Sequence, residues 1–170
     1  MTERKTVYRW FWAWEFEKEE QWLNQMAQSG WLLDRVGFCA YHLIACEPGA
    51  YAVRLEMHRC DADYVAFMEE TGAEYIGRVA QWVYFRKKTA DGPFDLFSDY
   101  DSKLSHLDRV GRMLAAVGFA NLVIGLVNSF HPVVNAGWIN LLLSTLLMYG
   151  LGRIHGKKET LEKARLLQES

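Results

Sequence analysis

Met113–Gly152 reads MLAAVGFANLVIGLVNSFHPVVNAGWINLLLSTLLMYGLG, forty consecutive residues without Asp, Glu, Lys or Arg. In a chain of 170 residues that is 24% charged, all the charged residues therefore fall in 1–112 or 153–170. Met113–Phe130 and Val133–Leu151 form two apolar segments separated by His131-Pro132, which a straight helix would not carry. At about 1.5 Å per residue each segment spans roughly 27–28 Å, close to the ~30 Å hydrocarbon thickness of a bilayer. The expectation is a two-helix transmembrane hairpin, 113–130 and 133–151. Arg109 and Arg112 precede it and Arg153, Lys157 and Lys158 follow it, whereas the connection carries no Lys or Arg. The positive-inside rule then puts both termini in the cytoplasm of a two-span cell-membrane protein. No secretory signal is expected, because the first apolar run is interrupted by charge.

A hairpin buried in a soluble core is the competing reading, but soluble helices carry a charged outer face and neither segment has one. Gly111, Gly118 and Gly125 recur every seven residues with Asn121 and Asn128 beside them, and Gly137, Asn140 and Ser144 make a similar stripe on the second segment. Small residues allow close backbone approach, and amides in hydrocarbon seek a partner, so these positions are expected to pack the two helices or a dimer of hairpins. Conduction would call for more helices or an intramembrane charge.

Residues 1–90 switch to short alternating and helical units. Val7–Trp14 reads as a strand, Glu15–Ser29 as a helix stopped by Gly30, and Trp31–Val36, Phe38–Cys46 and Tyr51–Met57 as strands, the last two joined by a Glu47–Ala50 hairpin turn. Asp61 and Asp63 cap a second helix ending at Thr71-Gly72, and Glu74–Arg86 reads as one long strand. This order predicts a cytoplasmic α+β domain with a ferredoxin-like antiparallel sheet, two helices on one face and an added strand. Residues 91–112 form a linker and juxtamembrane helix, and 153–170 a cytoplasmic helical tail.

Six of the seven tryptophans precede residue 83. On the expected first strand Tyr8, Trp10, Trp12 and Trp14 share one side. Such a row could stack nucleic-acid bases, but residues 1–112 hold 14 Lys and Arg against 18 Asp and Glu, the wrong sign for a phosphate backbone, so no direct nucleic-acid contact is expected. Burial or a protein interface is the better use. Tyr8, Trp10, Trp12, Trp14 and Trp31, with Phe94, Phe97 and Lys103 of the linker, are the candidate partner or ligand contacts.

Catalytic signals are absent from the sequence. Cys39, His42, Cys46, His58 and Cys60 do not converge on a strand pattern, so no metal or cofactor is expected. Glu15, Glu17, Glu19 and Glu20 suit the first turns of a helix, where carboxylates complement the dipole, better than paired acid and base roles. Ser102, Ser105 and His106 lie in no nucleophile motif.

Phe11-Trp12-Ala13-Trp14-Glu15-Phe16-Glu17-Lys18-Glu19-Glu20, continuing through Trp22-Leu23, Met26 and Gly30–Leu33, resembles the opening signature of the bacterial domain of unknown function family 2812. Glu47-Pro48-Gly49, Tyr51, Tyr64, Met68, Gly72 and the Asp99, Ser102, Lys103 stretch extend the likeness over residues 8–106. The resemblance implies membrane anchoring, a setting beside PadR-type regulators and no catalytic residues. The expectation is a non-enzymatic regulatory or sensory module whose partners are the lipid bilayer and a PadR-like regulator or a copy of itself; a small-ligand sensor or a transporter accessory subunit is the alternative.

Overall fold

Period-2 runs closed by tight turns, and helices closed by glycine, set the elements of the first part of the chain. In the computed structural model they are β1 (Arg4–Tyr8), α1 (Phe16–Gln28), β2 (Trp31–Gly37), β3 (Ala40–Ala45), β4 (Tyr51–Met57), α2 (Ala62–Glu70), β5 (Glu74–Val79) and β6 (Trp82–Lys88). Two long helices follow, α3 (Tyr100–Ser129) and α4 (Gly137–Glu169). The structure describes residues 3–58, 62–96, 100–130 and 137–169. Cys60, Asp61, Phe97, Asp99, the His131-Pro132 connection and positions 133–136 lie outside the described residues. The chain divides into two units, Met1–Ser98 and Asp99–Ser170.

The strands form two three-stranded antiparallel sheets, ordered β1-β3-β2 and β4-β6-β5. The two sheets are one motif made twice. Each follows the order strand, helix, strand, strand, and each places its last strand in the middle. The registers agree down to the irregularities. Leu33 faces Leu43 and Arg35 faces His42 across a bulge in the first sheet; Tyr75 faces Phe85 and Gly77 faces Tyr84 across a bulge in the second. Thr6 opposite His42 matches Leu55 opposite Tyr84 in the same way. Both helices stop at a glycine with φ of +84°, Gly30 and Gly72. At Gly30 the left-handed backbone and the Cys46 carbonyl, 3.3 Å from where a Cβ would stand, both demand glycine.

Helix α1 packs on both sheets, against β2 of the first and β4 of the second. Val53, Leu55, Met57 and Tyr84 are buried. The alternate residues of β6, Val83 and Phe85, point to the opposite face and pack with Met68 of α2, Ala73 and Phe94. The second sheet is therefore covered on both faces, which is why β4 and β6 are so apolar.

Several expectations are corrected. The single ferredoxin-like sheet with both helices on one face is replaced by two sheets, with α1 touching both. Glu74–Arg86 is two strands, because Ala80 (φ +52°) and Gln81 make a two-residue turn that folds the run back on itself. That sixth strand completes the second motif. Glu47–Ala50 does form a turn, with Ala50 N–H donating to the Glu47 carbonyl at 3.1 Å, but it carries the chain from one sheet to the other rather than closing a hairpin. Val7–Trp14 is not one strand: β1 ends at Tyr8, and Ala13–Glu15 forms a 3-10 turn leading into α1.

In the second unit α3 and α4 run antiparallel. Gly118 lies against Leu147 and Met148, Gly111 against Leu151 and Ile154, and Gly125 against Leu141 and Gly137. Among the described residues one helix, α3, is long and apolar enough to cross a membrane. Of the expected second span, 133–151, positions 133–136 lie outside the described residues, and the described part of α4 begins at Gly137 and runs without charge to Gly152.

Candidate functional site

Residues 9–12 follow β1 outside any strand, with Arg9 N–H still donating to the Cys39 carbonyl at 3.1 Å, and their side chains still alternate. Trp10, Trp12 and Trp14 form a ladder, with ring centroids 5.2 Å apart in a T-shape and 5.1 Å apart in a near-parallel stack. Phe11 turns the other way onto Trp22 at 5.8 Å and Tyr41 at 6.3 Å, and the Arg9 guanidinium lies 4.9 Å from the Phe11 ring centre and 5.1 Å from that of Trp22. The ladder runs from core to solvent. Trp14 is 6% exposed and Trp10 53%. Trp10 also meets Phe38 of the β2–β3 turn at 5.7 Å. Tyr8 and Phe38 are exposed as well, so one corner of the first sheet presents three large aromatic side chains to solvent.

Beside this corner a groove of about 340 Å³ is lined by Arg9, Trp10, Phe11, Glu15, Lys18, Gln21, Trp22 and Gln25. Its aromatic wall is already covered by Arg9, and Lys18 pairs with Glu15 at 2.6 Å across its rim. A ligand would have to displace a cation-π contact to reach the rings.

The remaining expected contacts lie elsewhere. Trp31 begins β2, at the opposite end from Phe38, and carries Lys5 Nζ 3.9 Å above its ring. Phe94 is 8% exposed in the core beneath the second sheet. Lys103 lies in α3. Among the small-residue positions, Gly111, Gly118, Gly125, Gly137 and Ser144 are buried between α3 and α4, and Ser144 Oγ donates to the Gly118 carbonyl at 2.8 Å. Asn121 instead donates to the Val117 carbonyl of its own helix at 2.8 Å; Asn128 and Asn140 are half-buried.

Two functions of the acidic run were not legible in the sequence. Glu19 is buried, and both Tyr41 of β3 and Tyr84 of β6 donate to its Oε1, at 2.7 and 2.6 Å. One carboxyl thus ties the two sheets to α1. Burial raises its pKa above the ordinary carboxylate value, opposed by the two hydroxyl donors. Glu20 accepts from Leu55 N–H at 3.2 Å, and Asn24 both donates to the Val53 carbonyl and accepts from Val53 N–H, each at 2.9 Å. Together they cap the open edge of β4. Ser105 is exposed, and His106 is buried before the apolar run of α3. Burial, with Arg109 and Lys157 adding to it, pushes the imidazole down to about 3. Among the described residues no three His, Cys, Asp or Glu side chains gather in a way that would hold a metal.

The family comparison bears on residues 15–119, more than half of the chain, which match the model described as Protein of unknown function (DUF2812). The chain belongs to the DUF2812 family. The match takes in α1, both sheets apart from β1, and α3 as far as Phe119; the aromatic corner at Tyr8 and Trp10 precedes it. No curated protein and no solved structure matches the chain.

Proposed function

We propose that this DUF2812 protein is a non-enzymatic, membrane-anchored module whose first unit binds a protein partner. The observation that carries the anchoring is the inverted pattern of the α3–α4 hairpin. Between Met113 and Gly152 its packed interior holds Leu114 with Gly118, Gly125, Gly137 and the polar Ser144, while Val117, Phe119, Leu122, Val123, Ile124 and Val127, with Ile139, Leu142 and Leu143 on α4, face outward. A water-soluble hairpin does the reverse. Every charged residue of these helices lies in 100–112 or 153–169, the half that carries the Asp108–Lys158 and Asp101–Arg165 ion pairs at 2.9 and 2.6 Å. This division favours insertion of the half nearest the interhelical turn as two spans, with the basic end and both termini in the cytoplasm.

Partner binding is supported by the exposed aromatic corner, since Tyr and Trp anchors are favoured at interfaces. A PadR-type regulator is the partner the family resemblance implies, and the role would be to report membrane state to it. Alkaline extraction of native membranes followed by affinity purification in mild detergent tests both parts. The hairpin is expected to stay in the pellet, and a stoichiometric partner to be recovered with the parent protein and lost with Trp10→Ala plus Phe38→Ala. Release into the aqueous phase would overturn the anchoring; equal recovery from the double variant would overturn the binding surface.

A further inference from the structure

The duplicated motif supplies its own comparison, and the two copies treat their outer strand differently. Ala45 N–H donates to the Glu3 carbonyl and Arg9 N–H to the Cys39 carbonyl, so Glu3, Lys5, Val7 and Arg9 carry the inward groups of β1. The backbone groups of Arg4, Thr6 and Tyr8 point to the outer edge. Their counterparts in β4 are Val53, Leu55 and Met57. There the outward N–H and C=O of Val53 are bound by Asn24, and the N–H of Leu55 by Glu20. Along β1 the only described strand is β3, on the inner side. The edge carries no proline, and Lys5, which could guard it, is folded over Trp31.

We infer that the outer edge of β1 pairs with the same edge of a second copy of this chain, antiparallel and centred on Thr6, joining two three-stranded sheets into one of six strands. The sequence of the strand is self-complementary in that register. Arg4 stands opposite Tyr8 of the partner, a cation beside an exposed ring, and Lys5 stands opposite Val7, so no like charges meet. The arrangement is isologous and closes at two copies. Thr6 N–H and C=O bond their symmetry mates at the axis, with Arg4 and Tyr8 extending the ladder on either side. The inference goes beyond the partner reading above and does not depend on the membrane assignment.

Full-length protein in detergent micelles, carrying single cysteines added to the native thiols, tests the register. Opposed residues of a hydrogen-bonded antiparallel pair lie about 5.5 Å apart between Cα atoms, within disulfide reach. Thr6→Cys is expected to give a covalent dimer several-fold above the parent, with a 6-to-6 linkage on peptide mapping. Arg4→Cys and Tyr8→Cys are expected to link when mixed but not alone. Thr6→Pro removes the outward N–H and the exposed Thr6 Oγ1–His42 Nδ1 bond at 2.9 Å but no bond of the β1–β3 ladder, so it should leave the thermal midpoint of the fold near that of Thr6→Val, which loses the same side-chain bond, and convert the dimer to monomer by native mass spectrometry. Absence of the 6-to-6 link, or equal linking at 4, 6 and 8, would overturn the register. A dimer that survives Thr6→Pro would place the contact elsewhere and overturn the inference.

Discussion

Glu19 shows how one buried group can hold three elements and set a pH dependence. Its folded pKa lies above the ordinary carboxylate value of 4.5, chiefly through burial, so the protonated form is favoured by folding. Stability from this group is complete below about 4.5 and declines as pH rises through the raised value. Glu20, also raised by burial, adds in the same direction. Glu19→Gln keeps an acceptor for Tyr41 and Tyr84 but cannot ionise. It should flatten much of the decline in unfolding free energy between pH 4 and 8, followed by tryptophan fluorescence in urea. Glu19→Leu leaves two buried hydroxyls unbonded, at about 1–3 kcal/mol each. Its destabilisation should exceed that of the Gln variant across this range. Equal effects of the two substitutions would show that the tyrosine bonds contribute nothing.

Among the elements, β4 and the α3–α4 contact depend on particular atoms. Asn24→Ala strips the N–H of the fully buried Val53 of its partner and leaves its carbonyl with the Arg54 guanidinium at 3.1 Å, and is expected to cost about 1–3 kcal/mol in chemical unfolding. Asn24→Asp, which can still accept from Val53 N–H but sets a carboxylate against its carbonyl, should be no better. In the hairpin the glycines differ in what they would meet. A Cβ on Gly118 would stand 2.5 Å from the flexible end of Met148, whereas one on Gly137 would stand 2.5 Å from the Gly125 backbone carbonyl and against Ser129. Gly137→Ala should therefore lower the SDS denaturation midpoint of the hairpin far more than Gly118→Ala, with a difference of about 1–3 kcal/mol. These distinctions also mark what the sequence could not convey. Alternation set Trp10 and Trp12 on one side and Phe11 on the other, as side-chain parity requires, whereas Trp14 joins them by stacking on Trp12 from within the 3-10 turn. Alternation could not show that pairing with β3 ends at the Arg9–Cys39 bond, because pairing depends on distant chain. The duplication was hidden for a related reason. Tyr41 and Val83 occupy equivalent positions, as do His42 and Tyr84, but each pair faces different neighbours, so the shared backbone survives with little shared sequence.

At the scale of the whole molecule a charge placed on the outward surface of α3 separates a membrane anchor from a soluble bundle. The outward surface of α3 between Val117 and Val127 has apolar residues in contact with whatever surrounds the hairpin, and Ile124 near its middle is 48% exposed. If that surrounding is lipid, Ile124→Arg places a guanidinium in hydrocarbon, a cost of roughly 2.5–3.5 kcal/mol on insertion scales. The fraction of chain resistant to alkaline extraction should then fall, while Arg112→Leu, at the charged end, should leave it unchanged. If the surrounding is water, Ile124→Arg removes an exposed apolar side chain, and solubility should rise with no loss of folded protein. The buried side of α3 gives the matching control. Leu114 is 1% exposed within the hairpin, so Leu114→Arg disrupts packing in either solvent and should unfold the pair of helices in detergent as in buffer. Only the outward position distinguishes the two environments, and a neutral result at Ile124 with a damaging one at Leu114 would remove the bilayer from the proposed function while leaving both sheets and their contacts as described.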